Sequence, residues 1–108
     1  MRYGQKPERG VRPDVAKYRL SKLAEDDLAA IADYGDEHFG IAQSDRYRER
    51  LKQRFSALAE QPYLYQTVDD IRRGYRRSVC GKHSVYYRID EQGVEIIRVL
   101  GRQDPMKM

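Results

Sequence analysis

The stretch from Asp70 to Arg102 constrains the fold most, because three runs rich in β-branched and aromatic residues are separated there by two short turn-forming segments. Gly81 lies in the first break, and Asp90 to Gly93 form the second. Runs of this composition joined by tight turns predict a three-stranded antiparallel meander. Val94 to Leu100 is apolar on both faces apart from one Glu and one Arg, as expected for a central strand.

Two amphipathic helices are predicted upstream of the meander. Ser21 is suited to be an N-cap, and apolar residues recur at helical spacing up to Phe39, after which Gly40 ends the helix. A second helix is predicted from Ile41 to Glu60, and Pro62 terminates it. Because the break between the helices is so short, they must fold back on each other as an antiparallel pair.

The predicted fold class is therefore α+β, with an N-terminal strand, an antiparallel helical hairpin and a three-stranded antiparallel meander. The N-terminal strand is predicted over Val15 to Leu20, pairing with the meander. The 108 residues suffice for one domain, which we place at residues 15–108. Residues 1–14 are rich in Gly, Pro and charge, which predicts a flexible extension.

Alternation of side chains along the middle strand of the meander predicts two different faces. The face expected to pack on the helices carries Val85, Tyr87 and Ile89. The opposite face, which we expect to meet solvent or a partner, carries Ser84, Tyr86 and Arg88.

Several classes of protein and site are disfavoured by the composition. The single cysteine, Cys80, permits no internal disulfide and suits a reducing compartment, and no signal peptide or membrane span is evident. We therefore expect a cytoplasmic protein that does not associate with membranes. His38 and His83 are isolated from each other and from Cys80, so we expect neither a metal site nor a cofactor.

Charge is distributed unevenly along the chain. Ser21 to Phe39 holds six acidic residues and one lysine, whereas Ile71 to Ile89 holds six Lys or Arg residues and no acidic one. Arginine forks of this kind match both carboxylates and phosphates. Such a cluster can bind an anionic partner, stabilise a charged transition state, or keep a strand face soluble.

The order of several short segments resembles the ParE toxins of the RelE/ParE superfamily. The resemblance extends from about Lys17 to Asp104 and rests on Tyr18–Ser21, Phe39–Gly40, Leu58–Pro62, Asp70–Arg76, His83–Ile89 and Val94–Leu100. It implies the strand, hairpin and meander described above. It also implies a toxin of a bacterial type II toxin–antitoxin module, paired with a small ParD-like antitoxin.

Two mechanisms exist in that superfamily. RelE-like members cleave mRNA on the ribosome and often carry a Tyr or His near the chain's end, where this chain reads Gly101-Arg102-Gln103-Asp104-Pro105-Met106-Lys107-Met108. ParE-like members are described as inhibitors of DNA gyrase that perform no chemistry of their own, and many carry a His where Gly101 stands here. The resemblance thus favours inhibition of gyrase, through its A subunit. The alternatives are a RelE-like ribosome-dependent mRNA endonuclease and a basic module that is inactive or only a co-regulator.

The resemblance and the charge pattern together assign candidate residues, with no catalytic residue in the gyrase-binding hypothesis. Candidates for target binding are Arg72, Arg73, Tyr75, Arg76, Arg77, Lys82, Arg88, Arg98 and Arg102. Candidates for antitoxin binding are Leu23, Leu28, Tyr47, Leu51 and Tyr86. The nuclease alternative would use Arg76, His83 and Arg88. We expect no sequence-specific DNA binding by the toxin alone.

Overall fold

A computed structural model describes residues 17–101 of the chain. Along the chain the elements are β1 (Tyr18–Leu20), α1 (Lys22–Phe39), α2 (Ile41–Glu60), β2 (Tyr75–Cys80), β3 (His83–Asp90) and β4 (Gly93–Gly101). This order confirms the predicted strand, helical hairpin and meander. The predicted extension at residues 1–14, the first residues of the predicted N-terminal strand and Arg102 lie outside the described residues.

Capping hydrogen bonds and a glycine define the ends of the two helices. The Ser21 hydroxyl oxygen accepts a hydrogen bond from the backbone N–H of Ala24 at 3.0 Å, which caps α1. Gly40 joins the helices with a φ of 86°, a conformation that favours glycine. The backbone N–H of Gln61 closes α2 by donating to the Ala57 carbonyl, just before Pro62.

The sheet has the strand order β1-β4-β3-β2. The meander pairs are antiparallel, while β1 pairs parallel with β4, with Tyr18 opposite Val94. The predicted central position of the Val94–Leu100 segment is thus confirmed, since β4 lies between β1 and β3. A parallel pairing is possible here because the whole hairpin forms the crossover from β1 to the meander.

The core lies between one face of the sheet and the helical hairpin. Fully buried side chains include Leu51, Phe55 and Leu58 from α2, which meet Val85 and Tyr87 from β3. This pattern confirms that α2 is amphipathic, and it confirms the predicted packing face of β3. Cys80 is a buried free thiol within the same core.

The opposite face of β3 differs from the expectation of an exposed surface. Ser84 and Tyr86 are buried, and only Arg88 of that set is exposed. Tyr86 lies in an interior strand with Arg77 and Arg98 as its cross-strand partners. The burial of a side chain on this face depends on residues of the neighbouring strands, which alternation along one strand does not reveal.

Neither helix within residues 17–101 is sufficiently long and apolar to cross a membrane.

Candidate functional site

Three exposed arginines lie in the edge strand β2 and in the turn just before it. Arg72 and Arg73 lie in the turn that precedes β2, and Arg77 lies within the strand. The turn is closed at Gly74, which has a φ of 82° and donates its backbone N–H to the Asp69 carboxylate at 2.8 Å. We call Arg72, Arg73 and Arg77 the cationic edge. Within residues 17–101, none of the three guanidiniums forms an ion pair with a carboxylate.

Other arginines of the predicted cationic face have internal partners. Arg98 donates to both carboxylate oxygens of Asp27 on α1, at 2.8 and 2.9 Å. Arg88 donates to Glu95 on the neighbouring strand at 2.9 Å. Hydrogen bonding to Asp27 and to Glu95, respectively, raises the pKa values of Arg98 and Arg88. These cations therefore stabilise the sheet and the position of α1.

Arg76 also has a structural role. Its guanidinium donates to the Tyr65 carbonyl at 2.6 Å and lies 5.1 Å from the centre of the Tyr63 ring. These contacts hold the segment between α2 and β2 against the sheet. The hydroxyl of Tyr87 assists by donating to the Pro62 carbonyl at 2.8 Å.

A cavity of about 510 Å³ opens between the helical hairpin and the β2–β3 turn. We call it the hairpin pocket. Its lining combines apolar side chains with three cationic ones and consists of Ile31, Tyr34, Gly35, Phe39, Gln43, Ser44, Arg46, Tyr47, Arg50, Gly81, Lys82 and His83. The sequence-based candidates include only Tyr47, Lys82 and His83 from this set. Tyr34 and Phe39 are five positions apart on α1 and do not share one helical stripe, so helical periodicity gives no signal for this pair.

A tyrosine and a histidine form the floor of the hairpin pocket. The Tyr47 hydroxyl lies 2.7 Å from Nδ1 of His83 and 3.2 Å from the Cys80 carbonyl, and it accepts the backbone N–H of Lys82 at 3.0 Å. Burial raises the pKa of Tyr47 and lowers the pKa of His83. Burial therefore favours the neutral forms of both groups, and Tyr47 fixes the β2–β3 turn to α2.

Comparison with known protein families assigns the chain to one of them. A family model described as the ParE toxin of the type II toxin–antitoxin system parDE matches residues 18–106. The chain belongs to the ParE toxin family.

Individual relatives agree with this assignment. The chain is 41% identical over 83 residues to Toxin ParE1 of Caulobacter vibrioides, which covers 77% of this chain and 85% of that protein. It is 31% identical over 86 residues to Toxin ParE1 of Mycobacterium tuberculosis, covering 79% and 88%, respectively. A solved structure titled "Chromosomal ParDE TA system from P. aeruginosa" has a TM-score of 0.71 at 16% identity, covering 81% of this chain and 96% of that one. That likeness concerns the fold.

In this ParE-family chain, the residues proposed for the nuclease alternative are not brought together. His83 and Arg88 are five positions apart on β3, so they project from opposite faces and are separated by about 16 Å along the strand. Arg76 pairs opposite Tyr87 and shares the helix-facing side with His83, but at the other end of β2. No single phosphate could contact all three side chains in this arrangement.

The candidate antitoxin contacts have different degrees of exposure. Leu51 and Tyr86 are completely buried, so neither presents surface to a partner in this conformation. Leu28 is half-buried and packs against the core. Leu23 is 54% exposed near the start of α1, and Tyr47 is half-buried in the hairpin pocket. Of the five, Leu23 and Tyr47 are therefore best placed to meet another protein.

Proposed function

We propose that this ParE-family toxin arrests growth in the cytoplasm by binding DNA gyrase through its A subunit, and that a ParD-like antitoxin neutralises it. The observation that carries the target assignment is the cationic edge. Arg72, Arg73 and Arg77 are exposed and keep their guanidiniums free of carboxylate partners within residues 17–101. Free arginine forks suit an anionic surface such as a protein–DNA complex.

The proposed action is binding without bond chemistry. A nuclease needs an acid–base group and charge-stabilising cations within about 3 Å of the same reacting atoms. Arg76, His83 and Arg88 are distributed over two faces of the sheet, and each has a hydrogen-bonded partner in the fold. This dispersal supports the gyrase-binding function over the mRNA-cleaving alternative.

Inhibition of gyrase supercoiling by the purified chain tests the proposal. We expect the double variant R72E/R73E to lose inhibition by about tenfold or more, because it replaces two contacting cations with repelling charges. K22E/K52E is the matched control, since it changes the charge by the same amount at exposed positions on the helices. We expect it to inhibit within about twofold of the unmodified chain.

The same preparations should be incubated with ribosomes and a defined message. An intact message together with inhibited supercoiling is the expected result. Cleavage at discrete codons, or no effect of the unmodified chain on gyrase, would refute the gyrase assignment. Equal loss of inhibition in R72E/R73E and K22E/K52E would instead show that the cationic edge is not the surface that binds the target.

A further inference from the structure

We propose that the cationic edge, formed by Arg72, Arg73 and Arg77, binds the phosphate backbone of the DNA that gyrase holds. The proposal rests on the proposed function and deepens it, because it names the part of the gyrase–DNA complex that this surface meets. Contacts with the A subunit would then come from other parts of the chain.

Arg72 and Arg77 lie on the side of the sheet that faces away from the helices. The Arg72 guanidinium is 5.8 Å from the centre of the Tyr75 ring. Tyr75 and Arg77 are two positions apart on β2, so their side chains share a face and are about 7 Å apart along the strand. Arg76 lies between them and pairs opposite Tyr87, which belongs to the packing face. The Tyr75 ring restricts the movement of Arg72, so this guanidinium loses less freedom when it binds an anion.

The backbone edge of β2 is not open to an added peptide strand. Near the start of the strand, the Val68 N–H donates to the Tyr75 carbonyl at 2.7 Å. Near its end, the Arg54 guanidinium donates to the Val79 carbonyl at 2.7 Å. Addition of a strand needs a continuous row of free backbone groups. The edge therefore offers a partner its cationic side chains and few backbone hydrogen bonds.

The character of this surface favours DNA over an acidic protein. Protein–protein interfaces have a core in which charged residues are depleted, whereas surfaces that bind DNA are more polar and much more cationic. The exposed apolar side chain of β2 is Val79, at 42%, and Tyr75 is half-buried beside Arg72. Guanidiniums thus dominate the cationic edge, and a core of apolar anchors is missing from it.

Three phosphate contacts fit a toxin that needs gyrase to reach DNA. Phosphate contacts carry no sequence information, and their contribution to affinity grows with their number. Three of them add to an existing complex but bind free DNA only weakly. This is consistent with the expectation that the toxin alone binds no specific DNA sequence.

Fluorescence anisotropy of the labelled chain tests the proposal with gyrase alone, with gyrase saturated by a linear duplex, and with the duplex alone. We expect bound DNA to raise the affinity for gyrase by about tenfold or more at 50 mM salt, and the duplex alone to bind far more weakly. Three phosphate contacts predict that this gain falls with a slope of about −3 in a plot of log affinity against log salt. The gain should therefore decrease by roughly 40-fold between 50 and 200 mM salt.

A matched pair of variants assigns the effect to the cationic edge. R77Q removes one exposed cation from the edge, and K52Q removes one exposed cation from α2. We expect R77Q to weaken binding to gyrase–DNA by about fivefold and to reduce the slope by about one, while its binding to gyrase alone is unchanged. K52Q should leave both the affinity and the slope within error of the unmodified chain. Equal urea midpoints for the three proteins would show that the fold is intact.

Failure of this inference and failure of the proposed function give different results. Equal affinity for gyrase with and without DNA would overturn the DNA assignment and leave the proposed function standing. Weakening of both complexes by the same factor in R77Q would do the same, since the edge would then contact the protein. Binding to the duplex alone as tight as to gyrase–DNA would also overturn it, because gyrase would not be needed. Absence of binding to gyrase in either state would refute the proposed function, and the DNA assignment with it.

Discussion

The surroundings of each ionisable side chain, rather than its position in a charged run, decide what that side chain does. Arg72 and Arg77 are exposed, whereas Arg98 is committed to Asp27 and Arg88 to Glu95. All four lie within or near the same basic stretch of sequence. Arg88 and Arg98, which have carboxylate partners, serve the fold, whereas Arg72 and Arg77 have no carboxylate partner within residues 17–101 and can contribute to recognition of an anionic partner.

His83 should make the stability of the protein depend on pH near neutrality. Burial lowers its pKa below the usual value of about 6.5. A lowered pKa means that the folded state favours the neutral ring. The contribution of neutral His83 to the free energy of unfolding is therefore fully present above pH 6.5 and is lost as the pH falls through the folded pKa. We therefore expect the free energy of unfolding to decrease between pH 7.5 and 5.5, and His83→Gln to reduce this decrease.

Urea unfolding at both pH values measures the effect, with His38→Gln, an exposed change on α1, as the control. The titration of Asp90 does not interfere with this measurement. Hydrogen bonding to Arg19 lowers its pKa from 3.8, so its contribution is lost only at more acidic pH. Identical pH dependence in the His83→Gln variant and the unmodified chain would contradict the prediction.

Helix α1 is attached to the central strand β4 at two points. The Ser21 hydroxyl donates to the Ile97 carbonyl at 2.7 Å, and the Ser21 backbone N–H donates to Ile96 at 2.9 Å. Two turns further on, Asp27 accepts from the Arg98 guanidinium and from the Val99 backbone N–H at 2.9 Å. These bonds fix the angle of the hairpin against the sheet, and therefore the shape of the hairpin pocket.

Asp27→Asn should destabilise the fold by about 2–3 kcal/mol, because it leaves a mostly buried guanidinium without its counter-charge. The side chains of Asp27 and Arg98 are only 14% and 17% exposed. The matched control is Asp26→Asn, which breaks the exposed pair with Lys22 and should cost about 0–0.5 kcal/mol. Chemical denaturation measures both values. Equal costs for the two variants would show that Asp27 contributes no more than a surface pair.

Local sequence patterns predicted the elements but not their side-chain partnerships. Helical spacing, turn glycines and strand alternation predict α1, α2 and the meander because these features depend on near neighbours in the chain. The Arg98–Asp27 pair joins residues 71 positions apart, so a local pattern cannot reveal it. An irregularity between Tyr86 and Tyr87 also shifts the register of β3 against β4, so that Tyr86 lies opposite Arg98 but Tyr87 lies opposite Ile96. The hairpin pocket was missed for the same reason, since its walls come from both helices and the β2–β3 turn.

On the scale of the whole molecule, opposite charges are separated in space. The α1 segment is acidic, while the cationic edge and the basic side of the hairpin pocket lie on β2, on α2 and at the β2–β3 turn. A net charge of +4 is thus the small difference between two charged regions. Such a molecule orients in the field of an acidic partner before contact, which increases the rate of productive encounter.

We therefore expect association with the proposed antitoxin to depend on salt mainly through its rate. Between about 20 mM and 500 mM salt the screening length falls from roughly 20 Å to about 4 Å. We expect the association rate constant to decrease roughly 10- to 100-fold over this range, because screening removes the orienting field. The dissociation rate constant should change by less than about threefold, because short-range apolar contacts are not screened by salt.

Stopped-flow mixing of the chain with its antitoxin measures both rate constants at each salt concentration. The variant R46E/R50E should show a flatter salt dependence, since it reverses the charge of two exposed cations that line the hairpin pocket. K22E/K52E, which makes the same change in charge away from the pocket, should keep most of the slope. An association rate that is insensitive to salt, with the whole effect in dissociation, would mean that the separated charges act only as contacts and do not guide the encounter.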